Sequence, residues 1–498
     1  MISLKRVLIS DPINPNCVKI LQTSGIEVTA LPKVPTKEEL LSIIKDYEGL
    51  IVRSGTKVTK EVIQAGRNLK IIGRAGTGVD NIDVKAATEA GILVMNTPGG
   101  NTLSAAEHTC AMMMAVCREI AQSCESLKSG KWNRKAYMGT ELNGKTLALV
   151  GLGRVGREVA IRMQAFGMTV IGYDPYVSPE SAAASNIEFL PLEKMWPRAD
   201  WISIHTPLLP STKGMINEDV FNQCKKGVCI VNVARGGIIH DESLLKALKD
   251  GIVAGAGLDV FDNEPPLSDV EWEIIRHPKV CATPHLGANT KEAQSRVAEE
   301  IADQFVAMQQ ARSMVGLING MHLAQVGSAQ PWLDLAVKLG TVAGKFGQGV
   351  DVTITVKGSN IGAINRLLGI GAVVGIHNDP SVNLLTAESK LPRIVHEDNG
   401  PDILTIAVDG FTVSGKVEGT CLLLTNISGT SLYPPAPLAG PGIAIFAEHA
   451  FKKCSVSDIA GLRWMVSNEE GWTLTSSEGI QGSKAENHAT IVTFSAAK

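Results

Sequence analysis

The sequence is poor in aromatic residues and has no large excess of charge of either sign. Only 4% of its 498 residues are Phe, Trp or Tyr, and 47 Lys and Arg against 50 Asp and Glu give a formal net charge of -3. This balance gives no electrostatic reason to expect nucleic acid or an anionic membrane as a partner. Any anionic ligand must therefore be held by positive side chains placed locally.

Long apolar runs are also missing. Residues 1–10 have too few apolar side chains for the core of a signal peptide and are typical of a first strand. The most membrane-like run, Leu367 to Ile376, contains three glycines and is far too short to span a bilayer. We therefore expect a soluble protein with no membrane partner.

The nine cysteines include no C-x-x-C pair, which argues against zinc sites and thioredoxin-type chemistry. Cys110, Cys117 and Cys124 are spaced to share one helix face, but small side chains packed in a core explain this spacing better than a redox or metal stripe. Unpatterned thiols suit a reducing compartment. We predict a cytoplasmic protein without a metal site.

Short β-branched runs alternate with helical stretches through roughly the first three-fifths of the chain, which predicts an α/β protein with parallel sheets. A first series comprises Val7–Ser10, Gly49–Arg53, Leu69–Gly73 and Gly91–Asn96. A second comprises Thr146–Gly151, Thr169–Tyr173, Trp201–His205, Val228–Val233, Gly255–Val260 and Val280–Thr283. The second series fits a complete dinucleotide-binding sheet, so the two series are assigned to two doubly wound domains.

The pattern changes near residue 312. A helix at Trp332–Gly349 is followed by strand candidates at Asp351–Val356, Ile403–Val408, Cys421–Asn426, Ile443–Phe446, Trp472–Ser476 and Thr490–Phe494. Prolines at 434, 435, 437 and 441 indicate a linker. This part predicts smaller α+β domains that carry no catalytic constellation.

A G-x-G-x-x-G motif at Gly151, Gly153 and Gly156 stands between a predicted strand and a predicted helix. Such glycines allow a tight turn and let the backbone approach a pyrophosphate at the positive end of the helix. Alone the motif is weak. Asp174, however, closes the next strand, where a carboxylate can accept the ribose hydroxyls, although a plain turn residue is the alternative. No arginine follows in Pro175–Tyr176, so NAD is favoured over NADP.

Three polar residues follow strands of the second series: Arg235, Glu264 and His285. Ligands of open α/β sheets bind outside the carboxyl ends of the strands, so these residues can meet in one crevice. A neutral histidine can take the hydroxyl proton as hydride leaves, and a neighbouring glutamate can stabilise the imidazolium. An arginine can hold a carboxylate by two parallel bonds. Among the other histidines His205 is the strongest rival for the base, but no acidic partner is evident.

Six motifs resemble, in this order, those of the D-isomer-specific 2-hydroxyacid dehydrogenases. They are Gly49-Leu-Ile-Val-Arg-Ser, Gly73-Arg-Ala-Gly-Thr-Gly-Val-Asp-Asn, Asn96-Thr-Pro, Gly139-Thr-Glu-Leu-Asn-Gly-Lys, Ala234-Arg-Gly-Gly and His285-Leu-Gly-Ala. The resemblance is dense over residues 1–320 and closest to the long, animal-like members. It implies NAD-dependent oxidation of 3-phospho-D-glycerate to 3-phosphohydroxypyruvate, the first step of phosphorylated serine biosynthesis.

The resemblance also assigns site residues. It implies the catalytic set Arg235, Glu264 and His285, and cofactor contacts from Thr77, Gly151, Gly153, Arg154, Val155, Gly156, Asp174, Thr206, Ala234, Asp259, His285, Gly287 and Ala288. It gives the substrate to Arg53, Arg74 and Asn101, with Arg134 reaching the phosphate in a neighbouring subunit; a solvated basic turn is the alternative for Arg134. A phosphorylated anion needs local cations, which Arg53 and Arg74 can supply.

The implied domain organisation is discontinuous. A flavodoxin-like substrate domain takes residues 1–98 and 287–312, and an inserted Rossmann NAD domain takes 99–286. An intervening α+β domain at 313–432 and a shortened ACT-like domain at 441–498 follow. Because both C-terminal domains are short, amino-acid feedback is not carried over. A homodimer through the NAD domain is expected, with a tetramer as the alternative.

Two other functions remain open at this point. One is a hydroxypyruvate or glyoxylate reductase, or another D-2-hydroxyacid dehydrogenase; the pair Arg53 and Arg74 argues for a phosphorylated substrate instead. The other is a non-enzymatic, NAD-sensing corepressor that binds peptides. The long C-terminal extension and the lack of a basic nuclear-targeting run favour metabolism.

Overall fold

The computed structural model describes residues 4–310, 315–321, 323, 326–347, 351–379, 381–428 and 430–438, and beyond them the strand residues 442–447, 464–465, 472–476 and 490–493. The chain divides into two compact units. One is Pro98–Val297, and the other combines Met1–Thr97 with Ala298–Lys498. The finer domain boundaries given above stay predictions.

The first part of the discontinuous unit is a parallel sheet with helical connections. Its elements are β1 (Arg6–Ile9), α1 (Pro15–Thr23), β2 (Glu27–Ala30), α2 (Lys37–Ile43), β3 (Gly49–Val52), α3 (Lys60–Ala65), β4 (Ile71–Arg74), α4 (Val84–Glu89) and β5 (Leu93–Asn96). The strand order is β2-β1-β3-β4-β5. β3 and β5 are buried along their whole length, as strands covered on both faces should be.

The continuous unit holds a larger parallel sheet. It contains α5 (Thr102–Cys117), α6 (Ile120–Lys128), β6 (Thr146–Val150), α7 (Arg154–Ala165), β7 (Thr169–Tyr173), α8 (Pro179–Ala183), β8 (Glu188–Phe189), α9 (Leu192–Met195), β9 (Trp201–Ile204), α10 (Glu218–Gln223), β10 (Val228–Asn232), α11 (Asp241–Lys249), β11 (Val253–Leu258), α12 (Asp269–Ile275) and β12 (Val280–Ala282). The strand order is β12-β11-β10-β9-β6-β7-β8. The order reverses beside β6, where doubly wound sheets bind their ligands.

Helix α13 (Lys291–Gln309) carries the chain from the continuous unit back into the discontinuous one. Its Phe305 is fully buried, and it packs where Gly49 and Gly73 leave room on the first sheet. A Cβ on Gly73 would stand 2.5 Å from the Phe305 ring. The C-terminal half of α13 therefore belongs to the core under the first sheet.

The middle of the C-terminal half forms a mixed sheet covered by two long helices. Its elements are α14 (Val326–Phe346), β13 (Val352–Lys357), α15 (Ser359–Gly362), α16 (Asn365–His377), β14 (Arg393–Glu397), β15 (Ile403–Val408), β16 (Phe411–Glu418), β17 (Cys421–Ile427) and β18 (Thr430–Pro437). The order is β14-β13-β15-β16-β17-β18, with only the β13–β14 pair parallel.

The apolar run Leu367–Ile376 lies within α16. Its glycines serve helix packing: a Cβ on Gly375 would stand 2.0 Å from the Val337 carbonyl oxygen of α14. Within the described residues, no helix combines the length and the apolar composition needed to cross a membrane.

The four strands at the C-terminus form a separate antiparallel sheet. They are β19 (Gly442–Ala447), β20 (Trp464–Met465), β21 (Trp472–Ser476) and β22 (Thr490–Thr493), in the order β20-β21-β19-β22. Three of these strands match predicted ones, and Phe494 lies outside the described residues. The ACT-like identity of this domain stays a prediction.

The proline-rich linker expected at residues 434–441 is wrong for its first part, because β18 extends to Pro437 and pairs with β17. Proline has no amide donor and is tolerated in an edge strand, which is the position of β18 in its sheet. A domain end at residue 432 would therefore cut a strand. Strands β2, β8, β14, β16, β18 and β20 are additional to the predicted ones.

Candidate active site

The glycine motif forms the turn between β6 and α7. Gly151 has a φ of 102°, and a Cβ there would stand 2.7 Å from the His205 carbonyl oxygen. A Cβ on Gly156 would stand 2.3 Å from the Gly151 carbonyl oxygen, so this helix can approach the strand only without a side chain. A Cβ on Gly153 would have no protein atom of the described residues within 4 Å. Two glycines thus shape the turn, and the third leaves room for a ligand against the helix N-terminus.

Asp174 lies directly behind this turn, at the end of β7. Its Oδ2 accepts a hydrogen bond from the Leu152 amide at 2.9 Å, and Oδ1 accepts one from the Tyr176 amide at 2.9 Å. Each carboxylate oxygen has a second lone pair. The carboxylate is therefore oriented by the turn and still able to accept ribose hydroxyls.

The loop after β9 borders the same turn. The Thr206 hydroxyl is buried and has no hydrogen-bond partner among the described residues, so a ligand group could satisfy it. His205 Nε2 pairs with the Ser203 hydroxyl at 2.9 Å, and burial lowers the pKa of the ring to about 4. A ring with so low a pKa is a weak proton acceptor at neutral pH, which favours His285 over His205 as the base.

The remaining cofactor candidates of this unit occupy structural positions around the turn. Arg154 begins α7 and donates to the Pro98 carbonyl oxygen at 3.1 Å, while Val155 packs on the core. The Ala234 amide donates to Asn232 Oδ1 at 3.0 Å. Asn232 also donates to the Arg235 carbonyl oxygen at 2.7 Å, which fixes the backbone of the segment that carries Arg235 after β10.

His285 and Glu264 form a close pair. His285 Nδ1 lies 2.6 Å from Glu264 Oε2, and the two side chains are 45% and 38% exposed. Bonding at Nδ1 leaves Nε2 as the nitrogen available to a substrate. The His285 backbone is left-handed, with a φ of 54°, an unusual conformation that clusters at functional sites.

Asp259, predicted as a cofactor contact, is fully buried and organises the His285 loop. Its carboxylate accepts bonds from the Leu286 amide at 2.7 Å, the Gly287 amide at 2.8 Å and the Thr283 hydroxyl at 2.6 Å. Burial alone would raise the pKa of Asp259, but hydrogen bonds, with that from His108 first among them, outweigh it and lower the pKa. Asp259 is thus engaged mainly with the protein.

Thr283 is a functional candidate that the sequence reasoning missed, and it lies beside His108, one of the histidines weighed as a rival base. His108 Nε2 lies 3.2 Å from Asp259 Oδ1 and 3.1 Å from the Thr283 hydroxyl. No motif spacing links α5 to the loop after β12. Gly287 packs against Val233, and a Cβ on it would stand 2.8 Å from that side chain.

A cleft of about 390 Å³ opens beside the His285–Glu264 pair. Its walls are mostly apolar, and besides the pair they comprise Phe261, Pro265, Pro266, Trp272, Ile275, Ala282, Thr283 and Pro284. The Arg276 guanidinium lies over the Trp272 ring, 5.3 Å from its centroid. The His285–Glu264 pair therefore borders a largely apolar cleft on one side.

The predicted substrate arginines belong to the discontinuous unit, at the carboxyl ends of its first sheet. Arg53 follows β3, and its Nη1 donates to the Pro12 carbonyl oxygen at 3.1 Å. Burial lowers the pKa of Arg53, and Asp11 opposes this shift. Arg74 ends β4, which is paired with β3, and its guanidinium lies against Gly76. Thr77 is exposed, and its hydroxyl points to the Thr97 carbonyl oxygen at 3.4 Å.

Three further predicted contacts, Asn101, Arg134 and Ala288, lie in the continuous unit. Asn101 is the N-cap residue of α5 and is half-buried. Arg134 lies in an exposed single turn of 3-10 helix at Arg134–Ala136, as a basic surface turn would. Ala288 accepts from the Gln294 side chain at 3.0 Å. In the part of the chain that the structure describes, no three His, Cys, Asp or Glu side chains group to hold a metal ion.

Comparison with known proteins decides which family uses this geometry. A family model described as D-isomer-specific 2-hydroxyacid dehydrogenase, NAD-binding domain, matches residues 110–287. Over 459 residues the chain is 48% identical to the D-3-phosphoglycerate dehydrogenase of Rattus norvegicus, covering 88% of this chain and 85% of that one. The chain belongs to the D-isomer-specific 2-hydroxyacid dehydrogenase family.

Other members of the family match this chain over shorter stretches or at lower sequence identity. The D-3-phosphoglycerate dehydrogenase of Archaeoglobus fulgidus is 39% identical over 436 residues, 84% of this chain and 81% of that one. A glyoxylate reductase structure from Paecilomyes thermophila has a TM-score of 0.58 at 28% identity, covering 64% and 99% of the two chains. A D-lactate dehydrogenase from Aquifex aeolicus, solved with NAD and lactic acid, has a TM-score of 0.54 at 28% identity, covering 61% and 96%.

Family membership confirms the expected resemblance, the α/β fold class and the cofactor class, and the structure adds the C-terminal mixed sheet. The chain is an NAD-dependent oxidoreductase. The glycine turn, the oriented Asp174 carboxylate and the Thr206 hydroxyl fit the pyrophosphate and ribose of such a cofactor. The individual site roles stay predictions.

Proposed function

We propose that the chain oxidises 3-phospho-D-glycerate to 3-phosphohydroxypyruvate, the first step of phosphorylated serine biosynthesis. The observation that carries the chemistry is the 2.6 Å contact between His285 Nδ1 and Glu264 Oε2. Support for the substrate comes from the 48% identity to D-3-phosphoglycerate dehydrogenases over 88% of this chain. Bound NAD supplies the acceptor for the hydride.

His285 is the acid–base group in this proposal. Its Nε2 takes the proton of the C2 hydroxyl during oxidation and returns it during reduction. Glu264 opposes the positive charge that then develops on the ring and holds the ring by Nδ1. Arg235, fixed through Asn232 after β10, binds the substrate carboxylate and orients C2.

Arg53 and Arg74 hold the phosphate. Arg53 directly follows β3, and Arg74 is the last residue of β4. The two strands are paired, with Val52 opposite Arg74, so the two arginines lie at the same edge of the sheet. A dianionic group requires several cations in a chain of net charge -3, and guanidinium groups bind phosphate by paired hydrogen bonds. Asn101 and, from a second subunit, Arg134 complete the proposed substrate site.

The proposed assembly is a homodimer through the NAD-binding unit, with a tetramer as the alternative. This unit exposes four large apolar side chains in and after α6: Ile120, Leu127, Trp132 and Met138. Trp132 and Met138 are 79% and 83% exposed, more than a monomer readily tolerates in one segment. Light scattering on the wild type and on Trp132→Glu tests the dimer, and an unchanged mass of the variant would exclude this surface. The cytoplasmic location stays a prediction from the unpatterned cysteines.

The deciding experiment is NADH consumption with 3-phosphohydroxypyruvate, run beside hydroxypyruvate and glyoxylate. We expect a large preference for the phosphorylated acid, because the smaller acids have no phosphate for Arg53 and Arg74 to bind. Preference for an unphosphorylated acid would keep the mechanism and overturn the substrate. NADH binding without turnover of any hydroxy acid would favour the NAD-sensing, peptide-binding alternative.

A further inference from the structure

The loop that carries Glu264 is fastened on both sides to one buried carboxylate, that of Glu271. Oε1 of Glu271 accepts a hydrogen bond from the Asn263 amide at 2.9 Å. Oε2 accepts bonds from the Leu267 amide at 3.0 Å and the Ser268 amide at 2.9 Å, and a third from the Ser268 hydroxyl at 3.0 Å. The tip with Glu264 lies between these two anchored flanks.

This arrangement exceeds what the local helix needs. Ser268 is the N-cap of α12 and Glu271 its third residue, and together they form a capping box. In an ordinary capping box the glutamate reaches back to the N-cap amide alone. Glu271 also takes the amides of Asn263 and Leu267, which lie outside the helix. The extra bonds serve the loop.

The charge on Glu271 makes this anchor permanent at neutral pH. The side chain is almost completely buried, and burial alone would raise its pKa. Hydrogen bonds from the amides of Ser268, Asn263 and Leu267 outweigh that cost and lower the pKa of Glu271 to about 2. A carboxylate with so low a pKa accepts all four hydrogen bonds at any pH where the enzyme would work.

Glu264 itself is held much less firmly. Its side chain is 38% exposed, and Oε1 meets the Phe261 amide at a long 3.3 Å. A half-exposed glutamate has many rotamers, and those that miss His285 Nδ1 are favoured by entropy. The backbone position of Glu264 must therefore be set by its flanks if the 2.6 Å contact is to persist.

We propose that Glu271 is a positioning residue that acts through Glu264 on His285. The inference rests on the proposed function, in which Glu264 stabilises the protonated His285 ring. By anchoring Asn263 and Leu267, Glu271 holds the loop where the Glu264 carboxylate meets Nδ1. Glu271 contacts neither substrate nor proton, and its effect on catalysis passes through the position of another side chain.

The test measures the titration of His285 directly, without requiring turnover. Diethylpyrocarbonate acylates neutral imidazole, and peptide mapping by mass spectrometry resolves His285 from the other histidines. The pH midpoint of its acylation rate is compared in wild type, Glu264→Gln, Glu271→Ala and the double variant. Loss of the Glu264 carboxylate removes the counter-charge of the imidazolium, so the ring deprotonates at lower pH and the midpoint falls.

We expect Glu271→Ala to lower the midpoint in the same direction as Glu264→Gln and by most of its size. The double variant should show no further shift, because both changes break the same contact. Glu271→Gln, which keeps one acceptor oxygen, should fall between wild type and Glu271→Ala. A wild-type midpoint in Glu271→Ala, beside a shifted one in Glu264→Gln, would overturn the proposal.

Two controls separate positioning from general damage. Glu273→Ala removes a surface glutamate of the same helix that pairs with Lys249, so His285 should titrate in this variant as in wild type. Asp241 and Asp262 line a small cavity with Glu271, and Asp241→Asn relieves their repulsion while leaving the loop bonds intact. A midpoint shift in either control as large as that of Glu271→Ala would also overturn the proposal.

Failure of this inference and failure of the proposed function are distinguishable. If wild type turns over no hydroxy acid but the midpoints shift as expected, the function fails and the positioning role stands. If turnover is normal and Glu271→Ala leaves both the His285 midpoint and the acidic limb of the kcat profile unchanged, the positioning role fails and the proposed function stands.

Discussion

The two parallel sheets are built alike and carry different chemistry at their carboxyl ends. In both, buried apolar strands alternate with helices on the two faces. The first sheet presents Arg53 and Arg74 after paired strands. The second presents a glycine turn after β6 and the His285–Glu264 pair after β12 and β11. Under the proposed function, the same architecture binds a charged group in one sheet and transfers a proton in the other, because the functional residues lie in the loops and not in the strands.

His285→Ala tests the chemical half of this comparison and should have the largest effect. Removing the acid–base group is expected to lower kcat by about 10²- to 10⁴-fold. NADH affinity should change little, because the glycine turn and Asp174 are untouched. Steady-state turnover and NADH fluorescence titration measure the two effects. An unchanged kcat would place the proton transfer elsewhere.

Arg53→Ala tests the binding half. Losing a charge-assisted bond costs about 1.5–3 kcal/mol, which corresponds to a rise of roughly 10- to 150-fold in KM for 3-phosphohydroxypyruvate. kcat should fall much less. Hydroxypyruvate provides the control, since it has no phosphate and its KM should be nearly constant. An equal rise for both acids would remove Arg53 from the phosphate site.

Gly156→Ala and Gly153→Ala separate the shape of the turn from its use. The added methyl at residue 156 would meet the Gly151 carbonyl oxygen at 2.3 Å, and such overpacking costs about 1–3 kcal/mol. At residue 153 the methyl meets open space, so Tm should hold while NADH binding weakens. Thermal unfolding and NADH titration give both readings. A normal NADH affinity in Gly153→Ala would mean that the ligand lies farther from the turn.

Asp174→Ala tests cofactor choice at the second sheet. Loss of the carboxylate removes the ribose acceptor and the repulsion of a 2′-phosphate, so the preference for NAD over NADP should fall about tenfold. The ratio of kcat/KM for the two cofactors measures it. An unchanged ratio would leave Asp174 as a turn residue that holds the amides of Leu152 and Tyr176.

His205→Gln should have the smallest kinetic effect. Burial lowers the pKa of His205 from 6.5 to about 4, so the folded state binds a proton less readily than the unfolded chain. Folding stability should therefore fall as the pH drops from 6.5 towards 4, and the substitution should reduce that fall. Thermal unfolding across this range measures the effect. A change in the acidic limb of the kcat profile would return His205 to the proton transfer.

Much of the fold could be predicted from the sequence because buried parallel strands are short and rich in β-branched residues. The parallel strand Thr169–Tyr173 has the predicted bounds. So does the antiparallel strand Ile403–Val408, whose alternation of buried and half-buried residues is itself a strand pattern. β2 could not be found in this way, because Glu27–Ala30 is an edge strand with no buried residue. The prolines before residue 438 indicated a linker because proline has no amide hydrogen to donate to a neighbouring strand. An edge strand such as β18 tolerates this lack, since one of its sides has no neighbouring strand.

The candidate site likewise contains residues that the sequence could indicate and residues that it could not. Glu264 and His285 could be paired because each follows a strand of the sheet that binds the cofactor. Asp259, Glu271 and His108 could not be given their structural roles, since a buried carboxylate that collects backbone amides has no spacing signature. Their partners lie in loops whose course depends on packing, such as the tip between Asn263 and Leu267.

Trp272 provides the protein with an optical reporter of the cleft beside the His285–Glu264 pair. Its indole lines the cleft beside His285 under the Arg276 guanidinium, so its emission depends on the water and charge in that space. Trp196 and Trp201 are buried in the core of the same unit, whereas Trp132 is exposed, so the measurement uses a Trp132→Phe background. A molecule that fills the cleft should shift the emission to shorter wavelength and protect it from iodide quenching. Occupancy of the cleft could then be followed by fluorescence for compounds that are never turned over.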